Sequence, residues 1–261
     1  MEEYEKWCEY AIEDDMHKIL VRMNESQIED AFYQNLEFGT GGLRGTIGVG
    51  TNRMNVYTVA KASQGLANYL IKKYGTKASI VIGYDSRLKS KIFAETAASV
   101  FAANGIKVYI WSRLLPVSMV SYAVKYLKAT AGVMITASHN PSKYNGYKVY
   151  NADGCQITTE TASIVLEEIG CLDIFFDIKK VNFSEAVSNG KISYIQEEVF
   201  DNFIEQIKNQ SVLYGEKIDK NVGIVYSPLN GTGLEPITRV LNEMGYKNVT
   251  IVEEQLFLIF L

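Results

Sequence analysis

The chain has 261 residues, 47% hydrophobic and 21% charged, with 30 acidic against 26 basic side chains and a formal charge of −4. That composition excludes a disordered or fibrous chain and fits one large or two modest globular domains. The acidic balance leaves no electrostatic footprint for nucleic acid, so an anionic substrate has to be held by a local cluster of cations and backbone N–H groups. No run of about 18 apolar residues is present to span a membrane. The acidic start MEEYEKWCEYAIEDD lacks the order of a signal peptide. Cys8, Cys155 and Cys171 are odd in number and show no zinc spacing, so reduced thiols in a cytoplasmic protein are expected.

Residues 2–36 read as a helical arm packed on the body, with Trp7, Ile12, Met16, Ile19, Met23, Ile28 and Phe32 roughly at helical spacing. His17 reads as a solvated residue of that arm, and the 17 tyrosines are too scattered to suggest a stacking platform. A glycine-rich loop follows, Phe38-Gly-Thr-Gly-Gly-Leu-Arg-Gly45, then a helix over about 56–74. Strands are expected at 78–83, 106–111 and within 129–137, with helices at 90–104 and 117–128 between them. This alternation predicts parallel strands with helices on the faces, an α/β layer. GYKVY and CQIT flank Asn151-Ala-Asp-Gly154, a hairpin signal, and a helix is expected at 158–169. Residues 172–198 read as an irregular connection. A second α/β unit starts with a helix at 197–210, a strand at 221–227, a helix opened by Asn230-Gly-Thr-Gly233 and a strand at 248–254. With so few elements it reads as incomplete.

The most informative segment is Thr136-Ala-Ser-His-Asn-Pro141, directly after an apolar strand. Ligands of α/β sheets bind at the carboxyl ends of strands, where Ser138 would be exposed on a loop stiffened by Pro141. His139 and Lys148 are both near enough in sequence to assist its hydroxyl. Three readings stand. Ser138 or Asn140 could cap a structural turn. Ser138 could be a hydrolase nucleophile, but no G-x-S-x-G elbow is present and the ring of adjacent His139 is not expected to face its neighbour's hydroxyl. Or Ser138 could carry a phosphoryl group. The Gly39–Gly45 loop, with Arg44, could approach a phosphate closely. Asp85 and Arg87, in Gly83-Tyr-Asp-Ser-Arg87, form either an ordinary loop ion pair or a pair that orients the Ser138 loop.

FGTGGLRG, GYDSR, TASHNPSKYNGYKVY and YSPLNGTG, in this order, resemble the α-D-phosphohexomutase family of phosphoglucomutases and phosphomannomutases, from the arm to about Gln255. The form of the first loop looks most like the branch of bacterial phosphoglucomutases and the animal phosphopentomutase and glucose-1,6-bisphosphate synthase relatives. The resemblance implies an α/β fold with a mixed sheet flanked by helices. It divides the chain into an arm at 1–37, a complete first domain at 38–196 and a truncated second domain at 197–261, of four domains in the family. It implies that Ser138 is the phosphoryl carrier, assisted by His139 and Lys148 in proton transfer and by Arg44 on the transferring group. Thr40, Gly41, Gly42, Asp85, Arg87 and Asn140 would bind phosphate or orient the loops. The implied cofactors are Mg²⁺, ligated in part through the phosphate on Ser138, and glucose 1,6-bisphosphate as activator and intermediate. The implied partner is a hexose phosphate, glucose first.

The family's other metal ligands come from a D-x-D-x-R loop that this sequence does not contain. Its sugar-recognition loop and fourth-domain phosphate loop have no counterpart either. The chain is thus expected to be an N-terminal portion with little mutase activity alone. A non-catalytic phosphosugar-binding module, or half of a split mutase with a separately encoded C-terminal half, is the alternative. The terminal Leu256-Phe-Leu-Ile-Phe-Leu261 has no family counterpart and reads as a frameshift or assembly artefact with an aggregation hazard.

Overall fold

The structure, a computed structural model, describes residues 2–39, 41–212 and 215–255; Thr40 and the 256–261 hexamer lie outside them. The N-terminal arm is three helices rather than one run: α1 (Glu2–Tyr10), α2 (Asp14–Leu20) and α3 (Glu25–Phe32). The second break has a sequence cause, a capping box in which Asn24 and Gln27 exchange side-chain-to-backbone hydrogen bonds. Trp7 anchors the arm; it is fully buried and meets Phe32, Tyr57 and Phe175 edge-on.

The body then runs β1 (Phe38–Gly39), β2 (Gly42–Thr46), α4 (Val56–Tyr74), β3 (Ser79–Tyr84), α5 (Ser90–Ala103), β4 (Lys107–Ile110), α6 (Val117–Tyr126), β5 (Ala131–Ile135), β6 (Tyr144–Asn151), α7 (Thr159–Gly170), α8 (Phe183–Ser188) and β7 (Ile192–Tyr194). Seven strands form one sheet in the order β1-β2-β6-β5-β3-β4-β7. Four of them, β5, β3, β4 and β7, are parallel. The three strands expected to be parallel, β3, β4 and β5, are so, and the sheet is mixed as expected because β6 returns antiparallel to β5. The reason is length: the 136–143 loop is too short for the crossover that a parallel neighbour needs.

Two further expectations change. The 172–198 stretch is not merely a connection, since it supplies α8 and the edge strand β7 beside β4. The hairpin at Asn151–Gly154 reduces to a single bridge, Tyr150 to Gln156. The two arms of the turn are joined there by backbone bonds, Ile157 N donating to Val149 O and Asn151 N to Cys155 O, while Val149 N donates to Gly41 O.

Alternation along the strands sorts the core. One face carries Ile80, Val133, Ile135, Tyr147 and Val149 against α4, α5 and α7. The other carries Val81, Met134 and Tyr150 against α6 and a further helix, α9 (Glu197–Asn209). The Tyr147 hydroxyl is fully buried, 3.1 Å from Ser63 Oγ, and burial pushes its pKa well above that of a free tyrosine. A raised folded pKa means that this stability is complete below the unfolded value of about 10 and is lost as pH rises beyond it. Chemical denaturation across alkaline pH should therefore show a fall above about pH 10 that is shallower in Tyr147→Phe, which itself costs about 1 kcal/mol at neutral pH.

The remaining unit is small: β8 (Ile224–Tyr226), α10 (Leu234–Glu243) and β9 (Val249–Ile251), with β8 and β9 parallel. Val225 on its open face is 75% exposed. Arg113, beyond β4, bonds Glu197 on α9 and Glu235 on α10, tying this unit to the body.

Candidate functional site

The carboxyl ends of β3 and β5 lead into the two loops that build the site. After β5, Thr136 Oγ1 accepts from Ser138 N at 2.9 Å, and Asn140 N donates to Ala137 O. This turn forces Ser138 to φ 58°, a left-handed conformation that a non-glycine residue adopts at a cost. Ser138 and His139 are exposed. The left-handed turn also swings consecutive side chains together: Ser138 Oγ lies 3.3 Å from His139 Nδ1. Adjacency in sequence thus does not keep the ring away from the hydroxyl, contrary to the expectation above.

After β3, Asp85 and Arg87 hold that turn. Arg87 Nη1 donates to Pro141 O and Tyr144 O, both at 3.0 Å. Its Nη2 donates to Ser138 O at 2.7 Å and to Asn140 O. Asp85 stands behind the guanidinium, with Oδ2 3.6 Å from Arg87 Nε, while its Oδ1 accepts from Arg87 N and Ser90 Oγ. One planar guanidinium therefore spans four carbonyls of the Ser138 loop, which is more than a loop ion pair does.

A cavity of about 740 Å³ opens before Ser138. Asp85, Arg87, Ser138, His139 and Asn140 all line it, with Met134 and Val117 beneath. Its far wall is Pro228–Thr232, the loop between β8 and α10, held by Ser86 Oγ donating to Asn230 O at 2.7 Å. Sequence reasoning did not place this wall in the site. The signal was present in the turn residues Asn230-Gly231, in the loop that follows the carboxyl end of β8.

Arg44, Lys148, Gly41 and Gly42 do not line the cavity. Pairing nevertheless places two of them beside it. Lys148 on β6 sits opposite Met134, and Arg44 on β2 sits opposite Gly146, whose carbonyl accepts from Thr136 N. Arg44 and Lys148 are diagonal neighbours on one face of an antiparallel pair, a separation of about 7–8 Å. Among the described residues Lys148 has no side-chain ion pair or hydrogen bond. Gly42 has a folding task of its own. A Cβ on Gly42, at φ 147°, would lie 1.7 Å from Tyr147 O. Gly42→Ala should therefore cost about 3 kcal/mol or more, read as a lowered urea midpoint. Thr40 lies outside the described residues.

The residues present do not by themselves fit a magnesium site. Both oxygens of Asp85 face Arg87 and Ser90, and buried Asn140 Oδ1 is one acceptor without a partner. Among the described residues no group of three or more His, Cys, Asp or Glu side chains could hold a metal ion. Among them, too, no helix is long and apolar enough to cross a membrane.

Sheet and loops together define an α/β protein with a clamped, hydroxyl-bearing turn at the carboxyl ends of its strands. Comparison with known proteins agrees. Residues 35–171 match the model of phosphoglucomutase/phosphomannomutase, alpha/beta/alpha domain I. The phosphoglucomutase of Staphylococcus saprophyticus is 37% identical over 249 residues, covering 90% of this chain and 44% of the relative. That of Staphylococcus haemolyticus is 39% identical over 227 residues, covering 87% of this chain and 40% of the relative. A Thermus thermophilus protein assigned as a phosphomannomutase shares the fold with a TM-score of 0.70 at 24% identity, over 87% of this chain and 48% of that one. The chain belongs to the phosphoglucomutase/phosphomannomutase family, and it spans less than half the length of these curated relatives.

Proposed function

We propose that the chain is the phosphoryl-carrying part of a phosphohexomutase that interconverts hexose 1-phosphate and hexose 6-phosphate, with glucose phosphate as the first substrate. The observation that carries this reading is an exposed Ser138 hydroxyl on a turn fixed through four carbonyls by Arg87, facing a cavity of about 740 Å³. Phosphoryl transfer asks for positioning and charge neutralisation more than for covalent chemistry.

The roles follow. Ser138 Oγ carries the phosphoryl group. A sugar hydroxyl oxygen takes it, forming its bond to phosphorus and giving up its proton to His139 as the Ser138 Oγ–phosphorus bond breaks. The departing Oγ regains a proton from His139, whose Nδ1 is 3.3 Å away. The bisphosphorylated sugar then returns its other phosphate to Ser138, with the proton flow reversed. Arg44 and Lys148 flank the transferring group with positive charge, and Lys148 is the second candidate for proton transfer. Asp85, Arg87 and Asn140 hold the turn. Magnesium would be held in this chain through the phosphate on Ser138 and would supply further charge neutralisation. We place the protein in the cytoplasm. We divide the chain as arm 1–37, first domain 38–196 and part of a second domain from 197.

The second reading is partnership with a separately encoded C-terminal half, or plain phosphosugar binding; the chain matches 40–44% of the length of these curated relatives. The test is incubation with radiolabelled glucose 1,6-bisphosphate and Mg²⁺, then peptide mapping. Label on Ser138 is expected. Binding of the sugar without transfer would favour the binding module, and failure to bind any hexose phosphate would count against both.

A further inference from the structure

Asn145, the second residue of β6, is a fully buried polar side chain outside the site as drawn so far. Its orientation is set by partners that can act only one way. Leu88 O accepts from Nδ2 at 2.9 Å, and Gly146 N donates to Oδ1 at 2.7 Å. The same Nδ2 donates to Ser90 Oγ at 2.9 Å. Ser90, also fully buried, has one hydroxyl proton, and it goes to Asp85 Oδ1 at 2.7 Å. Asp85 Oδ1 is thereby occupied by Ser90 and by Arg87 N, so Oδ2 is the oxygen that faces the guanidinium. The guanidinium, so aimed, spans Ser138 O, Asn140 O, Pro141 O and Tyr144 O.

We infer that Asn145 is a positioning residue for the Ser138 turn. Its amide sets the donor direction of a buried chain, Asn145 to Ser90 to Asp85, that aims Arg87. Asn145 also precedes Gly146, which pairs with Arg44, and lies three residues before Lys148. One side chain thus locks the clamp to the strand that presents the flanking cation, so that turn, clamp and strand keep one geometry. A merely structural asparagine would need its hydrogen bonds satisfied but would not need their direction. The inference rests on the functional reading above for its purpose, and on geometry alone for its mechanism.

Direction is testable because aspartate has asparagine's shape but, when ionised, only accepts. Asn145→Asp takes the Ser90 proton away from Asp85, and Ser90→Ala removes the relay with a smaller perturbation. Ser90→Thr keeps the hydroxyl. Hydrogen exchange, read by mass spectrometry on the 261-residue chain, compares the 138–144 amides with those of α4. Asn145→Asp and Ser90→Ala should speed exchange in 138–144 by roughly tenfold while α4 keeps its protection, and Ser90→Thr should match the wild type. Unchanged 138–144 exchange in Ser90→Ala and Asn145→Asp, with Arg87→Ala raising it, would overturn the inference. So would a loss of protection spread equally through α4, which is the mark of a structural role. The labelling of Ser138 by glucose 1,6-bisphosphate is scored separately. A wild type that never labels removes the functional reading, and the exchange result still decides the role of Asn145.

Discussion

Ser138→Ala should abolish transfer of label from glucose 1,6-bisphosphate to the protein. Once the chain is assayed with a C-terminal portion of a relative, it should lower mutase turnover by at least about 10³-fold, the scale on which removal of a nucleophile acts. Binding of the sugar phosphate should change little, because the turn is held through its carbonyls and not through the hydroxyl. Stability separates two substitutions that activity cannot. Ser138 sits at φ 58°, so Ser138→Gly relaxes a left-handed residue, whereas Ser138→Ala keeps the strain. The glycine variant should be more stable than the alanine variant by about 1 kcal/mol, with both inactive. Turnover that survives in either variant would remove Ser138 from the mechanism.

The second large effect is expected at Arg87. Hydrogen bonds made by a charged group contribute about 1.5–3 kcal/mol each, and Arg87 makes four to the turn. These bonds share one side chain and do not add. Loss of preorganisation alone should slow labelling of Ser138 by roughly 10²-fold in Arg87→Ala, since a displacement of about 1 Å has that scale of effect. Arg87→Lys should recover little, because an ammonium cannot bridge carbonyls spread over Ser138 to Tyr144. Truncation also leaves Asp85 without its cation, in a pocket where its oxygens are largely enclosed by Ser90 and the Arg87 backbone. Arg87→Ala with Asp85→Asn should therefore be more stable than Arg87→Ala alone. Equal labelling rates in wild type and Arg87→Ala would show that the clamp is not needed.

What could be read from the sequence follows the physics of burial. The runs at 78–83, 106–111 and 129–137 are legible because strands covered on both faces must be apolar throughout, and Ile80, Val81, Ile82, Val133 and Ile135 are indeed fully buried. The strand β7 was not legible: three residues at a sheet edge carry too little pattern to stand out from the 172–198 stretch. The antiparallel return of β6 follows from the brevity of the 136–143 loop, a feature that alternation alone does not weigh. In the site, the residue types around Ser138 were visible as a motif, and the resemblance supplied their roles. The clamp was not visible in form, since contacts to backbone carbonyls impose no identity on the residues contacted. The approach of His139 to Ser138 was misread because it depends on one left-handed φ, which nothing in Ser-His announces. The wall at Pro228–Thr232 comes from a unit far along the chain, so only folding brings it to the cavity.

The most direct test of the central claim, that Ser138 carries the phosphoryl group, is mass spectrometry of the native protein isolated from its source cells. The account predicts a phosphate on the peptide containing Ser138, located on that serine and discharged by hexose phosphate. An unmodified Ser138 in protein that turns over hexose phosphate, or a phosphate on another residue that discharges in its place, would contradict it.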